Sequence, residues 1–99
     1  MSERSSSALV SVVIPVHDAA EYISDTLSSI LSQSLQDIEV IIIDDNSADD
    51  TLKLLQSFAA NDSRIRLLNN SQNIGAGASR NMGLKIASGE YIIFLDDDD

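Results

Sequence analysis

The stretch YIIFLDDDD, residues 91–99, sets five apolar residues directly against four carboxylates. Adjacent like charges repel by about 1 kcal/mol per close pair in water and by several times that in less polar surroundings. Two readings compete: a solvated acidic tail, or a cation held at the end of a buried strand. In an extended chain Asp96 and Asp98 point one way and Asp97 the other. Two carboxylates on one side form a hard-oxygen pair suited to Mg2+ or Mn2+, ions usually held by one or two carboxylates plus phosphate oxygens. A diphosphate is the implied companion, and the placement straight after a buried-type strand favours the cation.

Outward from that run, three further aliphatic stretches occur at 9–14 (LVSVVI), 38–43 (IEVIII) and, more weakly, 65–68 (IRLL). Like YIIFL at 91–95, they are nearly continuous rather than alternating, the pattern of strands covered on both faces of a parallel sheet. Between them lie helical stretches. Over 19–33 Ile23, Leu27, Ile30 and Leu31 share one face, and Asp18 with Glu21 has capping-box spacing at the start. Over 49–60 Leu52, Leu55, Phe58 and Ala59 do the same, with Ser47 and Asp50 as start signals. A third helix over 76–87 is weakened by Gly75, Gly77 and Gly83. The β-α-β-α-β-α-β order predicts a Rossmann-like, doubly wound, mainly parallel α/β sheet with helices on both faces. Ligands of such sheets bind beyond the carboxyl ends of the strands, where strand order reverses.

Every polar cluster follows a strand. PVHD at 15–18 holds the only proline and the only histidine. Pro15 is expected to end its strand, His17 to stack on a base or sit in the turn, and Asp18 to cap the first helix. DDNSADD at 44–50 supplies Ser47 as a cap for the second helix, while Asp44 and Asp45 at a strand exit can accept hydrogen bonds from a nucleobase or ribose. The loop is no EF-hand, because position five is Ala48 and no glycine follows. NIGAGASRN at 73–81 lacks both GxGxxG, since Arg80 stands at the last glycine position, and the P-loop lysine. It remains a flexible loop entering a helix whose amide end favours anions, with Arg80 in reach of a diphosphate.

The 99 residues fit one small domain, with 1–8 (MSERSSSA) read as a disordered leader and 9–99 as the folded part. Four of the ten excess negative charges lie in the last four residues, and no basic stripe exists, which argues against a nucleic-acid partner. Cysteine is absent, removing disulfides, thiolate metal sites and thiol nucleophiles. The apolar runs are too short to span a membrane and the first residues lack a signal segment. The expectation is a cytoplasmic chain, with a longer parent either free there or at the cytoplasmic face of the membrane.

Taken together, VSVVIPVHDAAEYISDTLSSILSQSLQDIEVIIIDDNSADDT and NIGAGASRNMGLKIASGEYIIFLDDDD resemble the nucleotide-binding half of a family 2 glycosyltransferase of the GT-A fold over residues 9–99. The resemblance implies the strand order 3-2-1-4 and a nucleotide-sugar donor, commonly a UDP-sugar. It places Pro15 and His17 beside the nucleotide, Asp45 on the base and Arg80 near the phosphates. Asp96 would face ribose or metal and Asp98 would ligate a divalent cation, Mn2+ or Mg2+, which neutralises the leaving diphosphate. Asp18 departs from the asparagine the family often has. The acceptor, a saccharide, a lipid-linked saccharide or another hydroxyl, and the carboxylate base of an inverting transfer are expected beyond Asp99. The chain is thus expected to be a donor-binding fragment of a truncated GT-A fold, inactive alone, that self-associates through the edge strand 91–95. A nucleotidyltransferase is the alternative enzyme, though PVHDAAEY lacks the glycine-rich basic loop such enzymes use, and a non-catalytic binding or assembly module is the alternative from another class.

Overall fold

The computed structural model describes residues 8–33 and 37–97. They form β1 (Val10–Val16), α1 (Ile23–Leu31), β2 (Ile38–Asp44), α2 (Thr51–Asn61), β3 (Ile65–Asn69), α3 (Ala76–Ile86) and β4 (Tyr91–Phe94). The four strands make one wholly parallel sheet in the order β3-β2-β1-β4, so the order reverses between β1 and β4.

Strand alternation divides the core. Val10, Val12, Ile14 and Val16 of β1 and Ile38, Val40 and Ile42 of β2 pack with Ile23 and Leu27 of α1 and Leu55 of α2. On the opposite face Val13, Ile41 and Ile43 meet Met82 and Ile86 of α3. Both faces of β1 and β2 are buried, which is why their sequences show no polar alternation. β4 differs: all four of its residues are exposed, Tyr91 by 63%. Its continuous apolar run looks like a covered strand in sequence, but it lies on the sheet edge with little packed against it.

Glycine content obscured α3 in sequence, and packing explains one glycine. A Cβ at Gly83 would lie 2.5 Å from Val13 Cγ1 and 3.0 Å from Ile43 Cδ1, so the helix sits on the sheet at a distance only glycine permits.

Several local expectations are corrected. Pro15 does not end β1, which runs on to Val16 with Pro15 opposite Ile43. Leu9 and Val13 offer their carbonyls toward β4, so the alternating backbone turns the Pro15 nitrogen the same way, past the end of β4, and no ladder hydrogen bond is lost. Asp18 does not cap α1. Its backbone takes φ of 47°, and its Oδ1 accepts the Ala48 N–H at 2.7 Å. Ser47 does not cap α2; Asp49 instead accepts the Thr51 N–H at 2.9 Å. α1 begins four residues later than the periodicity predicts, after a turn through Ala20 to Tyr22. Ala8, the last residue of the expected leader, is buried, and residues 1–7 lie outside the described region.

Candidate functional site

At the carboxyl end of the sheet, where strand order reverses, a cleft of about 220 Å³ is lined by Pro15, Val16, His17, Asp45, Ala76, Asp96 and Asp97. Four of the residues singled out from sequence, Pro15, His17, Asp45 and Asp96, therefore meet in one place. Arg80 reaches the rim through an ion pair, its Nη2 standing 3.0 Å from Asp96 Oδ1. Asp98, expected as the metal ligand, lies outside the described residues.

Two loops are clasped to build the cleft wall. The Asp18 N–H donates to Ser47 Oγ at 2.9 Å, and Asp18 Oδ1 receives the Ala48 N–H. The Ala19 N–H donates to Thr51 Oγ1 at 2.8 Å and the Ala20 N–H to Asp49 at 3.3 Å. Ser47 Oγ in turn donates to the buried Asp44 carboxylate at 2.5 Å, and Asn69 Nδ2 donates to the same carboxylate at 2.9 Å. Asp44 is thus committed to shaping its own loop, and Asp45 is the residue presented to the cleft.

Asp45 is 3% exposed. It accepts the Ile74 and Gly75 N–H groups at 2.8 Å each and the Asn70 side-chain amide at 3.0 Å. Burial alone would raise its pKa, but the hydrogen bonds from Ile74, Asn70 and Gly75, with the charge of protonated His17, outweigh that and hold it below the ordinary carboxylate range. These bonds fix the entry to α3, where Gly75 at φ of 94° makes the turn that a side chain would strain. A carboxylate at a helix amino end also matches the helix dipole.

His17 Nδ1 lies 2.8 Å from the Asp45 carbonyl, and a carbonyl only accepts, so Nδ1 carries a proton. Its Nε2 stands 3.2 Å from Asp18 Oδ2. The Asn73 amide approaches the Asp45 carbonyl at 3.4 Å beside the same imidazole. Asp97 turns toward α1: its Oδ2 accepts the His17 N–H at 3.1 Å, Oδ1 faces Tyr22 at 3.4 Å, and its carbonyl accepts from Thr26 at 3.0 Å. Asp96 goes to the α3 side, so the alternation expected beyond β4 holds for this pair.

Sequence reading missed Asn70, Asn73, Asp97 and Thr51 as parts of the site. The amide-rich run NNSQN before Gly75 was the available signal for the first two; Thr51 acts across two loops, which no local pattern reveals. Among the described residues no three acidic or histidine side chains stand together as a metal cage. Asp96, largely exposed on the cleft, still fits Mg2+ or Mn2+, which take one or two carboxylates and complete their shell with phosphate and water, whereas Asp97 is engaged by His17 and Tyr22.

A parallel α/β sheet with an acidic, helix-flanked cleft at its switch point defines a doubly wound α/β domain with a ligand-type cleft at the carboxyl rim. The model of glycosyl transferase family 2 matches residues 11–99, and the chain belongs to that family. It is 39% identical over 93 residues to the glycosyltransferase GlyG of Streptococcus pneumoniae, covering 94% of this chain and 31% of that one. The crystal structure of Staphylococcus aureus TarS 1–349 in complex with UDP-GlcNAc is 32% identical, with a TM-score of 0.83 over 90% of this chain and 26% of that one. The mannosyltransferase PcManGT of Pyrobaculum calidifontis, in complex with GDP-Man and Mn2+, is 25% identical, with a TM-score of 0.84 over 93% of this chain and 28% of that one. The fold is therefore that of GT-A transferases, and the chain spans about a third of the length of the curated relatives it matches. Among the described residues no helix is long and apolar enough to cross a membrane.

Proposed function

We propose that this chain is the donor-binding part of a glycosyltransferase that moves a sugar from a nucleoside-diphosphate sugar, a UDP-sugar by preference, to an acceptor hydroxyl with inversion. The observation that carries the reading is the convergence of His17, Asp45, Asp96 and Asp97 on one cleft at the carboxyl end of the sheet. The base slots against Pro15 and His17 and takes its polar contacts from Asp45, whose fixed position makes it a rigid acceptor. The diphosphate lies toward the amino end of α3 and Arg80, where a helix terminus and a guanidinium both favour anions. Asp96, with Asp98, holds Mn2+ or Mg2+, as the hard-oxygen donor set suits, and Asp97 fixes the loop that carries His17. When bound, that cation supplies charge neutralisation for the departing diphosphate.

The parent works in the cytoplasm or at the cytoplasmic face of the membrane. The exposed apolar edge at β4 supports self-association of the 99-residue chain; a light-scattering mass that stays monomeric across concentration would refute that point.

Calorimetric titration of the folded chain with UDP, GDP and ADP, each with Mn2+ and with EDTA, tests the reading. Cation-dependent binding that prefers one diphosphate is expected. Absence of binding by a chain that melts cooperatively would favour a non-catalytic module.

A further inference from the structure

We infer that Arg80 is a built-in counter-ion for Asp96, holding that carboxylate until a divalent cation arrives and then turning its guanidinium to the donor's diphosphate. The inference rests on the donor-binding reading above and assigns the order of events within that site.

The pair joins two elements that approach the cleft from different sides. Arg80 is the fifth residue of α3, and Asp96 lies two residues past the end of β4. Their contact is a single 3.0 Å bond from Nη2 to Oδ1. The Asp96 side chain is 61% exposed and that of Arg80 37%. Pairs this exposed shift an equilibrium by at most about fivefold, so this one is easily exchanged and too weak to act as a structural strut. The contrast with Arg64 is informative: that guanidinium donates to both Asp62 oxygens and to the Leu31 carbonyl, at half the exposure, and is a fixed tie.

Without a cation, the exposed Asp96 carboxylate stands on a cleft that Asp45 and Asp97 also line, so negative charge crowds there and the donor's diphosphate would be repelled. Arg80 relieves that crowding on Asp96, so it also competes with a divalent ion for the same oxygen. Once the ion is in place the guanidinium is freed on the flank of the cleft where phosphates lie, and its planar fork matches a phosphate as well as a carboxylate. One residue therefore weakens cation binding in the empty site and strengthens nucleotide binding in the filled one.

Opposite signs are the test. Mn2+ is titrated into the 99-residue chain without nucleotide, followed by loss of the free-ion EPR signal, and UDP is then titrated at saturating Mn2+. The wild type is compared with Arg80→Ala and Arg80→Lys, with far-UV circular dichroism and urea midpoints checking the fold. Arg80→Ala should bind Mn2+ about threefold more tightly and UDP on the order of tenfold more weakly, since a charge-assisted phosphate bond is lost. Arg80→Lys should keep the Mn2+ affinity near wild type and recover only part of the UDP affinity, because lysine has charge without the fork. Unchanged or weaker Mn2+ binding by folded Arg80→Ala overturns the inference and leaves the donor-binding reading intact. A folded wild type that binds neither Mn2+ nor its UDP complex overturns both.

Discussion

Two netted carboxylates, Glu39 near the start of β2 and Asp45 just past its end, serve α3 differently. Glu39, Ile41, Ile43 and Asp45 alternate along the face on which α3 lies. At about 3.3 Å per residue the two carboxylates are roughly 20 Å apart, while the 11 residues of α3 span about 16 Å. Asp45 takes the amides entering the helix. Glu39 takes the Ser88 N–H at 2.6 Å just past the other end, with Ser11 Oγ at 2.5 Å and Arg66 at 3.4 Å, and Arg66 donates to the Ile86 carbonyl at 2.9 Å. The amino end of the sheet is closed on itself: the Gly89 N–H donates to Ser11 Oγ at 2.8 Å, and a Cβ on Gly89 would strike the Ser11 nitrogen at 2.6 Å. The carboxyl end uses the same device but leaves a cleft beside it. One helix is thus positioned from both ends by the β2 segment, and the cleft lies at its Asp45 end.

Removing Asp45 should cost the most. Asp45→Ala removes the shared acceptor of two backbone N–H groups and of the Asn70 amide, so a loss of about 3 kcal/mol in urea unfolding is expected, together with loss of UDP binding. A loss under about 1 kcal/mol would mean the loop is held otherwise. Glu39→Ala should cost about 2 kcal/mol, because the serine hydroxyls can rotate to other acceptors, and should leave UDP affinity within about twofold, since no ligand contact lies at that end. Equal damage to binding by the two variants would erase the distinction between the ends.

Gly83→Ala probes the face between them. The added methyl meets the branched, buried Val13 at 2.5 Å. Overpacking of about 2 kcal/mol should outweigh the roughly 1 kcal/mol that alanine gains in helix propensity, and a rise in urea midpoint would contradict the close packing.

Acid gives the finest comparison. Burial would raise the Glu39 carboxyl, but the Ser11, Ser88 and Arg66 hydrogen bonds outweigh it and hold it low; Asp45 is held low in the same manner, and Asp62 chiefly by Arg64. Depressed carboxyls stabilise the fold above their ordinary range, and that stability is lost as pH falls below about 4. Glu39→Gln should therefore flatten the acid limb of a stability-against-pH curve by roughly 1 kcal/mol; an unchanged limb would show that Glu39 is not ionised in the fold.

The parallel sheet and the seven elements were legible because β1 and β2 are buried on both faces and the helices are amphipathic, while the strand order came from the family resemblance. The meeting of the strand-exit clusters was legible because parallel topology places every carboxyl end at one rim. Helix caps were not, since Asp18 bonds across to the second loop and Ser47 is taken up by Asp18 and Asp44 rather than by the helix that follows it. Glu39 was passed over inside IEVIII, although a lone carboxylate in a buried strand requires partners. The glycine-rich helix was placed from sequence at 76–87 despite its weak propensity, and the sheet beneath Gly83 supplies the reason for that glycine.

The central claim is that the Asp45 turn and the terminal aspartates share a site for a cation-bridged nucleoside diphosphate. Amide NMR of the chain with UDP and substoichiometric Mn2+ tests it directly, since paramagnetic broadening falls steeply with distance. Broadening should be strongest at Asp45, Ala76 and Asp97 and weakest at Ser11, Glu39 and Ser88, roughly 20 Å away. Broadening centred on the Glu39 end, or equal at both ends, would contradict the account.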